Sequence, residues 1–267
     1  ISQYVDGQPP RMGNSPIALT SNGLLRLNTS GAQAIAGTES KVALLQPTDF
    51  AYSQNQNRVA FVAAKGVYVY KLDVFNDPGK LVDGRPNQLS PSYDPQGSVW
   101  TLSSTKGAPF VVTGNERSVL RNTWVDGVPV SFSVSPEGAR VAVVYQVDKS
   151  KLTYVFPVER SKTGMAVYLG KPIQITAAPV NSDRVTWADS VTLALLAPGT
   201  PNGFVPCLIT VGGQLNASTA VESATSVAVN GTGQFFVLQP NGNVVESRGT
   251  SWVTIAQNIL ALHVPGD

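Results

Sequence analysis

Histidine, cysteine and paired carboxylates carry most enzymatic chemistry, and in this chain they are few and scattered. His263 is the only histidine and Cys207 the only cysteine. A nucleophilic triad would have to pass through His263, and no Gly-x-Ser-x-Gly elbow accompanies it. His263 alternates with Leu260 and Leu262, the pattern of a strand, so it is expected to be structural. One histidine and one cysteine far apart do not make a zinc site. No Gly-x-x-x-x-Gly-Lys-Ser/Thr loop offers a phosphate cradle. Cys207 lies in the apolar run Val205 to Val211 and is expected to be a small buried hydrophobe. A lone cysteine also excludes an internal disulfide.

Carboxylates are the remaining candidates, because two of them can hydrolyse a glycosidic bond and several can hold calcium. Asp126, Asp183, Asp189 and Glu222 fall near one set of candidate strands. They do not form a repeated acidic position, since the matching stretches elsewhere offer Thr48-Asp49, Gln88-Leu89 and Leu260. The sialidase box Ser-x-Asp-x-Gly-x-Thr-Trp is absent. No catalytic, cofactor-binding or metal-binding residue is therefore assigned, and no cofactor is expected. A small-ligand binder or hydrolase built from the scattered carboxylates stands as the alternative. Asn28, Asn216 and Asn230 begin Asn-x-Ser/Thr triplets, which chance supplies in a chain rich in Ser and Thr.

Composition points to strands rather than helices. The chain has 267 residues with 24 Gly and 19 Pro, only 13% charged residues, and no long Ala/Leu/Glu/Lys stretch. That is an all-β composition with many turns. A net charge of +2 is too small to imply nucleic acid or an anionic membrane surface as a partner, and no basic run supports either. No apolar run reaches the ~18–20 residues of a membrane span, and no signal peptide is present. The chain starts at Ile1 and is read as a piece of a longer protein.

The elements that would position any site come from a repeat. Phe132 and Val134 alternate with Ser131, Ser133 and Ser135. Pro136 and Gly138 make a tight turn, and Val141 to Tyr145 is an unbroken apolar run. The same strand–turn–strand unit recurs around Ser53, Asp94, Asp189 and Asn230. Successive turn-opening residues Ser53, Asp94, Ser135, Asp189 and Asn230 lie 41, 41, 54 and 41 residues apart. Their side chains suit acceptance of backbone N–H bonds within the turn. By the same comparison Glu137 and Arg140 belong to a solvated turn rather than a site. The long interval predicts an insertion around Lys149 to Lys151 and Glu159 to Lys162, within 146–164. Trp100, Trp124, Trp187 and Trp252 are expected to pack the repeats.

A period near 40 made only of strands predicts a β-propeller with four strands per blade. Five blades are complete. Three short strands in Ile17 to Ala36 and one in Ile259 to Val264 are left over, and together they make a sixth. The expectation is six blades closed by both termini, with five or seven as alternatives. Residues 1–13 read as a linker or arm and 14–267 as the propeller.

Leu89 to Trp100, with its Pro-Ser-Tyr-Asp-x-x-Gly-x-Val-Trp pattern, resembles a blade of the β-propeller domain of LpqB, an actinobacterial lipoprotein family (Gmad1-type). Val130 to Val144 resembles that family's next blade, one period on. The resemblance covers most of 14–264 and is sharpest over 85–145. It implies a lipid-anchored protein on the extracytoplasmic face of the cell membrane, with a lipobox and a GerMN-like region outside this sequence. It also implies a partner, the extracellular part of a two-component sensor histidine kinase of MtrB type. Membrane contact would run only through the lipid anchor. The family pattern carries no catalytic motif onto these residues, which leaves a non-catalytic interaction module and an unassigned partner surface.

Overall fold

The computed structural model describes residues 15–28, 31–74, 76–105, 110–113, 116–120, 125–199 and 203–265. The expected arm at 1–13 and Trp124 lie outside the described residues. Six antiparallel sheets are present. Their first strands are Asp49–Ser53 (blade 2), Ser92–Tyr93 (blade 3), Val128–Val134 (blade 4), Val185–Trp187 (blade 5), Ser226–Val229 (blade 6) and Ala261–His263 (blade 1). These six contact one another in a closed cycle in that order, so they are the inner strands of a six-bladed propeller. Blade 1 joins both ends of the chain. Ala261–His263 pairs with Ile17–Thr20 in the register Ala18↔Leu262, and Gly23–Asn28 and Gly31–Ala34 complete the sheet. The six-blade expectation holds.

Strand periodicity explains the packing. In a strand covered on both faces, alternate residues point to opposite neighbours. Val141, Val143 and Tyr145 face blade 3, where they meet Trp100, Leu102 and Leu120. Ala142 and Val144 face blade 5, where they meet Val185, Leu193 and Leu195. The other four apolar clusters fill the other four gaps between blades, so the core is six wedges rather than one central mass. Cys207 is buried in the wedge between blades 4 and 5, with its thiol directed at Leu195 O. Burial pushes that thiol up to about 11.

The turns behave as one repeated device. Gly97, Gly138 and Gly233 each donate their N–H to the carbonyl of the opening residue, Asp94, Ser135 or Asn230, and each has φ between 71° and 79°. The opening side chains accept backbone N–H bonds: Ser53 from Gln56, Asp94 from Gln96 and Ser98, Ser135 from Arg140, and Asn230 from Thr232 and Gln234. In blade 5 the backbone position belongs to Ala188, whose N–H reaches Thr192 O. Asp189, one residue on, supplies the side chain to Val191 and Thr192. A Cβ on Gly138 would stand 2.6 Å from Arg160 Nη2 and 2.9 Å from Pro95 Cδ, because each turn nests on the preceding blade.

Three elements differ from expectation. Glu39–Leu45 is a helix, too short to show helical periodicity, placed between blades 1 and 2. Its Thr38 hydroxyl donates to Ile35 O and accepts from Leu24 N, which fastens it to blade 1. Lys80–Asp83 is the outer strand of blade 2, where Asp-Pro-Gly before it masked a strand signal. The expected insertion at 146–164 is no loop. It is the hairpin Arg140–Val147 and Ser150–Arg160, and the extra length becomes longer strands, an added strand Ile173–Gln174 and a long connection to blade 5.

Closure predicts a contrast between neighbours in sequence. Leu262 is buried against Ala18, Phe236 and Leu238, whereas Leu260 is exposed. Leu262→Ala should cost about 2–4 kcal/mol in urea denaturation, and Leu260→Ala about 0.5 kcal/mol or less. Equal costs would mean that the last strand does not hold the ring.

Candidate functional site

Four residues before Ser53, Asp94, Ser135 and Asn230, and before Ala188 in blade 5, lies the same level of the inner edge: Asp49, Ser90, Ser131, Ser226 and Arg184. These side chains form a polar ring where the central channel opens, and each of Asp49, Ser90, Ser131 and Arg184 spans a blade boundary or meets a group that does. Ser90 Oγ donates to Asp49 Oδ2, joining blades 3 and 2. Ser131 Oγ accepts the Val185 N–H of blade 5 at 3.1 Å. Arg184 Nε donates to Thr225 O, on the connection into blade 6, at 3.0 Å. Two residues further along, Ser92 Oγ accepts Val134 N–H at 3.1 Å.

Below the ring the channel is a throat of about 70 Å³, lined by Ser90, Ser92, Ser131, Arg184, Trp187 and His263 among others. It holds roughly two waters at ~30 Å³ each. Organic ligands occupy pockets of about 300–1,000 Å³, so none fits there. Above the ring the channel widens to a funnel of about 510 Å³, bounded by Thr48, Asp49, Gln88, Ser90, Asp183 and Arg184. A second depression of about 530 Å³ adjoins it, shares Thr225, and is formed by the loops at 239–242 and 258–260. Both lie on the face that carries the connections between successive blades.

The carboxylates sort by this geometry. Asp183 lines the funnel and is ion-paired with Lys151. Asp49, present in the sequence comparison only as an exception to any acidic repeat, lines it too. Asp126 and Glu222 are exposed and border neither funnel nor throat. Asp189 holds its turn on the opposite face. Glu137 and Arg140 form a loose pair at 3.6 Å in the blade 4 turn. His263 packs edge-on against Phe50, with ring centroids 5.8 Å apart. Trp187 and Trp252 reach across to neighbouring segments through their indole N–H groups, to Ser133 O and Ala220 O, and Trp100 bonds Asp94. No group of three or more His, Cys, Asp or Glu side chains suited to a metal exists among the described residues.

Asp49 is the electrostatic oddity of the funnel. Burial pushes its carboxyl above the usual range, and the Ser90 hydroxyl, the Arg184 charge and the Phe50 N–H at 2.8 Å only partly offset this. Asp83 shows the opposite balance. Its burial would raise it, but the Arg85 side chain at 2.6 Å and 3.0 Å, the Arg85 N–H and the Thr101 hydroxyl at 2.8 Å hold it below the usual range. Asp83 therefore ties blade 2 to blade 3.

The sequence matches the family described as the lipoprotein LpqB beta-propeller domain over residues 22–261. The chain belongs to the LpqB β-propeller family. No curated protein matches it. Among solved structures, a chain of a nidogen/laminin complex is similar with a TM-score of 0.66 and 12% identity, covering 94% of this chain and 97% of that one. TolB from Acinetobacter baumannii is similar with a TM-score of 0.62 and 14% identity, over 94% of this chain and 66% of that one. A streptogramin B lyase is similar with a TM-score of 0.56 and 10% identity, over 95% and 86%. At such identities these likenesses show the propeller fold alone. The LpqB family is one of lipoproteins, which associates this propeller with the cell envelope. No helix among the described residues is long and apolar enough to cross a membrane.

A raised folded value means that the folded LpqB propeller holds Asp49's proton more tightly than the unfolded chain does. Stability at this group is then lost as pH rises from the ordinary carboxylate range near 4 through the raised value. Asp49→Asn removes the charge; its carbonyl oxygen can keep the Phe50 N–H, and its NH2 faces Ser90, whose hydroxyl can turn to accept. The variant should gain stability relative to the parent as pH rises above about 4, read from paired urea melts. A gain that shrinks with rising pH would contradict the assignment.

Proposed function

We propose that this LpqB propeller is a non-catalytic docking module of a cell-envelope lipoprotein, and that it modulates a two-component sensor kinase of MtrB type by binding the kinase's extracytoplasmic part. One observation carries the choice of surface. Leu44 is 77% exposed on the helix Glu39–Leu45, and Val180 (51%) and Leu260 (53%) are exposed on blade connections of the same face. Apolar side chains on the same face as polar depressions suit a protein partner, which can cover the apolar groups while its polar atoms meet the funnel. The family match supports the envelope setting, and the throat is too narrow for an organic substrate.

The funnel itself favours a second reading. Two carboxylates and a guanidinium around about 510 Å³ could hold a small polar ligand, or hydrolyse one if a carboxylate were free. Asp183 is engaged by Lys151, and Asp49 by Ser90 and Phe50 N–H, so neither stands ready as a nucleophile. The docking reading is preferred for that reason.

Titration calorimetry between the propeller and the kinase ectodomain tests it. Binding should be measurable below high micromolar concentration. The double variant Leu44→Glu with Leu260→Glu should weaken it about 10–100-fold, the range of an interface hot spot, with an unchanged melting temperature. No interaction at high micromolar concentration, or undiminished affinity of the double variant, would overturn the proposal.

A further inference from the structure

Two hydroxyls in the throat have a proton with nowhere in the protein to go. Ser92 and Ser131 are 7% and 6% exposed, and both line the throat. Each hydroxyl oxygen accepts a backbone N–H from the next blade, Val134 and Val185 respectively. A hydroxyl also carries one donor, and among the described residues no acceptor takes it from either serine. Each donor needs an acceptor inside the throat, which water or an anion can supply. The third group there is a cation. Arg184 borders both throat and funnel, and its Nε is held by Thr225 O. Burial raises the pKa of neighbouring Asp49, and the Arg184 charge partly offsets this.

We propose that the throat binds one small inorganic anion of halide size, held by the Ser92 and Ser131 hydroxyls and by Arg184. The volume of about 70 Å³ admits such an ion with one water and excludes larger oxyanion esters and organic acids. The ion touches side chains from blades 3, 4 and 5, so it pins three blades at the axis where their inner edges have no sheet partner. Each hydroxyl spends one lone pair on the N–H it accepts, and its proton can rotate to meet the ion.

Bromide is the probe. Crystals soaked in sodium bromide and measured at the bromine absorption edge should give an anomalous peak in the throat within contact of Ser92 and Ser131 Oγ. In solution, sodium chloride or bromide should raise the melting temperature above that in sodium gluconate of equal ionic strength. The rise should grow with the logarithm of halide concentration and reach roughly 4–8 °C when halide is about a hundredfold above its dissociation constant. Arg184→Gln, which keeps a donor for Thr225 O, should abolish the halide-specific part and leave the circular dichroism spectrum unchanged. A throat holding only water while surface bromides refine would overturn the proposal. So would equal melting in halide and gluconate, or a halide shift that survives Arg184→Gln.

Discussion

An inner strand of a radial sheet has a hydrogen-bonding partner on one side only, and its other edge faces the axis. A chain of blades must satisfy six such edges in a space too narrow for further strands. Here the solution is a set of short polar side chains that reach sideways. Ser92 and Ser131 take N–H groups of the following blade, Ser90 reaches back to Asp49, and Arg184 reaches forward to Thr225. The narrow throat, the ring of polar groups above it and the funnel above that follow from this arrangement.

Packing between blades depends on the same geometry. A blade presents alternate residues to its two neighbours, so one apolar run serves two wedges of core. The wedges leave no blade stable alone, and the ring must close to cover the last pair. Pairing of Ala261–His263 with Ile17–Thr20 does this with only three residues. It also places the chain's sole histidine at the axis, beside Phe50, where packing accounts for it. Charged clamps also join neighbouring blades: Arg160 of blade 4 bonds Asp94 of blade 3 and Gly138 O, and Asp83 reaches Thr101 across blades 2 and 3.

Much of this was legible in the residues because the turns are written almost identically. Pro136, Gly138 and the serine before them give the spacing that counts blades, and the leftover strands at both ends give the closure. The helix Glu39–Leu45 was not legible, since seven residues carry too little periodicity and its position is set by Thr38 and the core of blade 1. The extra length of this repeat reads as a loop in the residues because long strands and a long loop lengthen a repeat equally. The polar ring was within reach of the sequence, by counting four residues back from each turn. Asp189 obscured it, for in blade 5 the equivalent backbone position is Ala188, and only from there does the count reach Arg184. The exposure of Leu44, Val180 and Leu260 needed the fold, because apolar residues on connections look the same in sequence whether covered or not.

The structure thus separates two faces of one ring. The turn face is knitted together by Asp94, Ser135, Asn230 and their glycines. The connection face carries the funnel, its neighbouring depression and the exposed apolar side chains. Hydrogen exchange of the propeller with and without the sensor-kinase ectodomain addresses the assignment of function to the second face most directly. The account predicts slowed exchange in the connections containing Leu44, Val180 and Leu260, with the turns around Ser135 and Asn230 unchanged. Protection confined to those turns or to the outer strands, or none at saturating ectodomain, would contradict it.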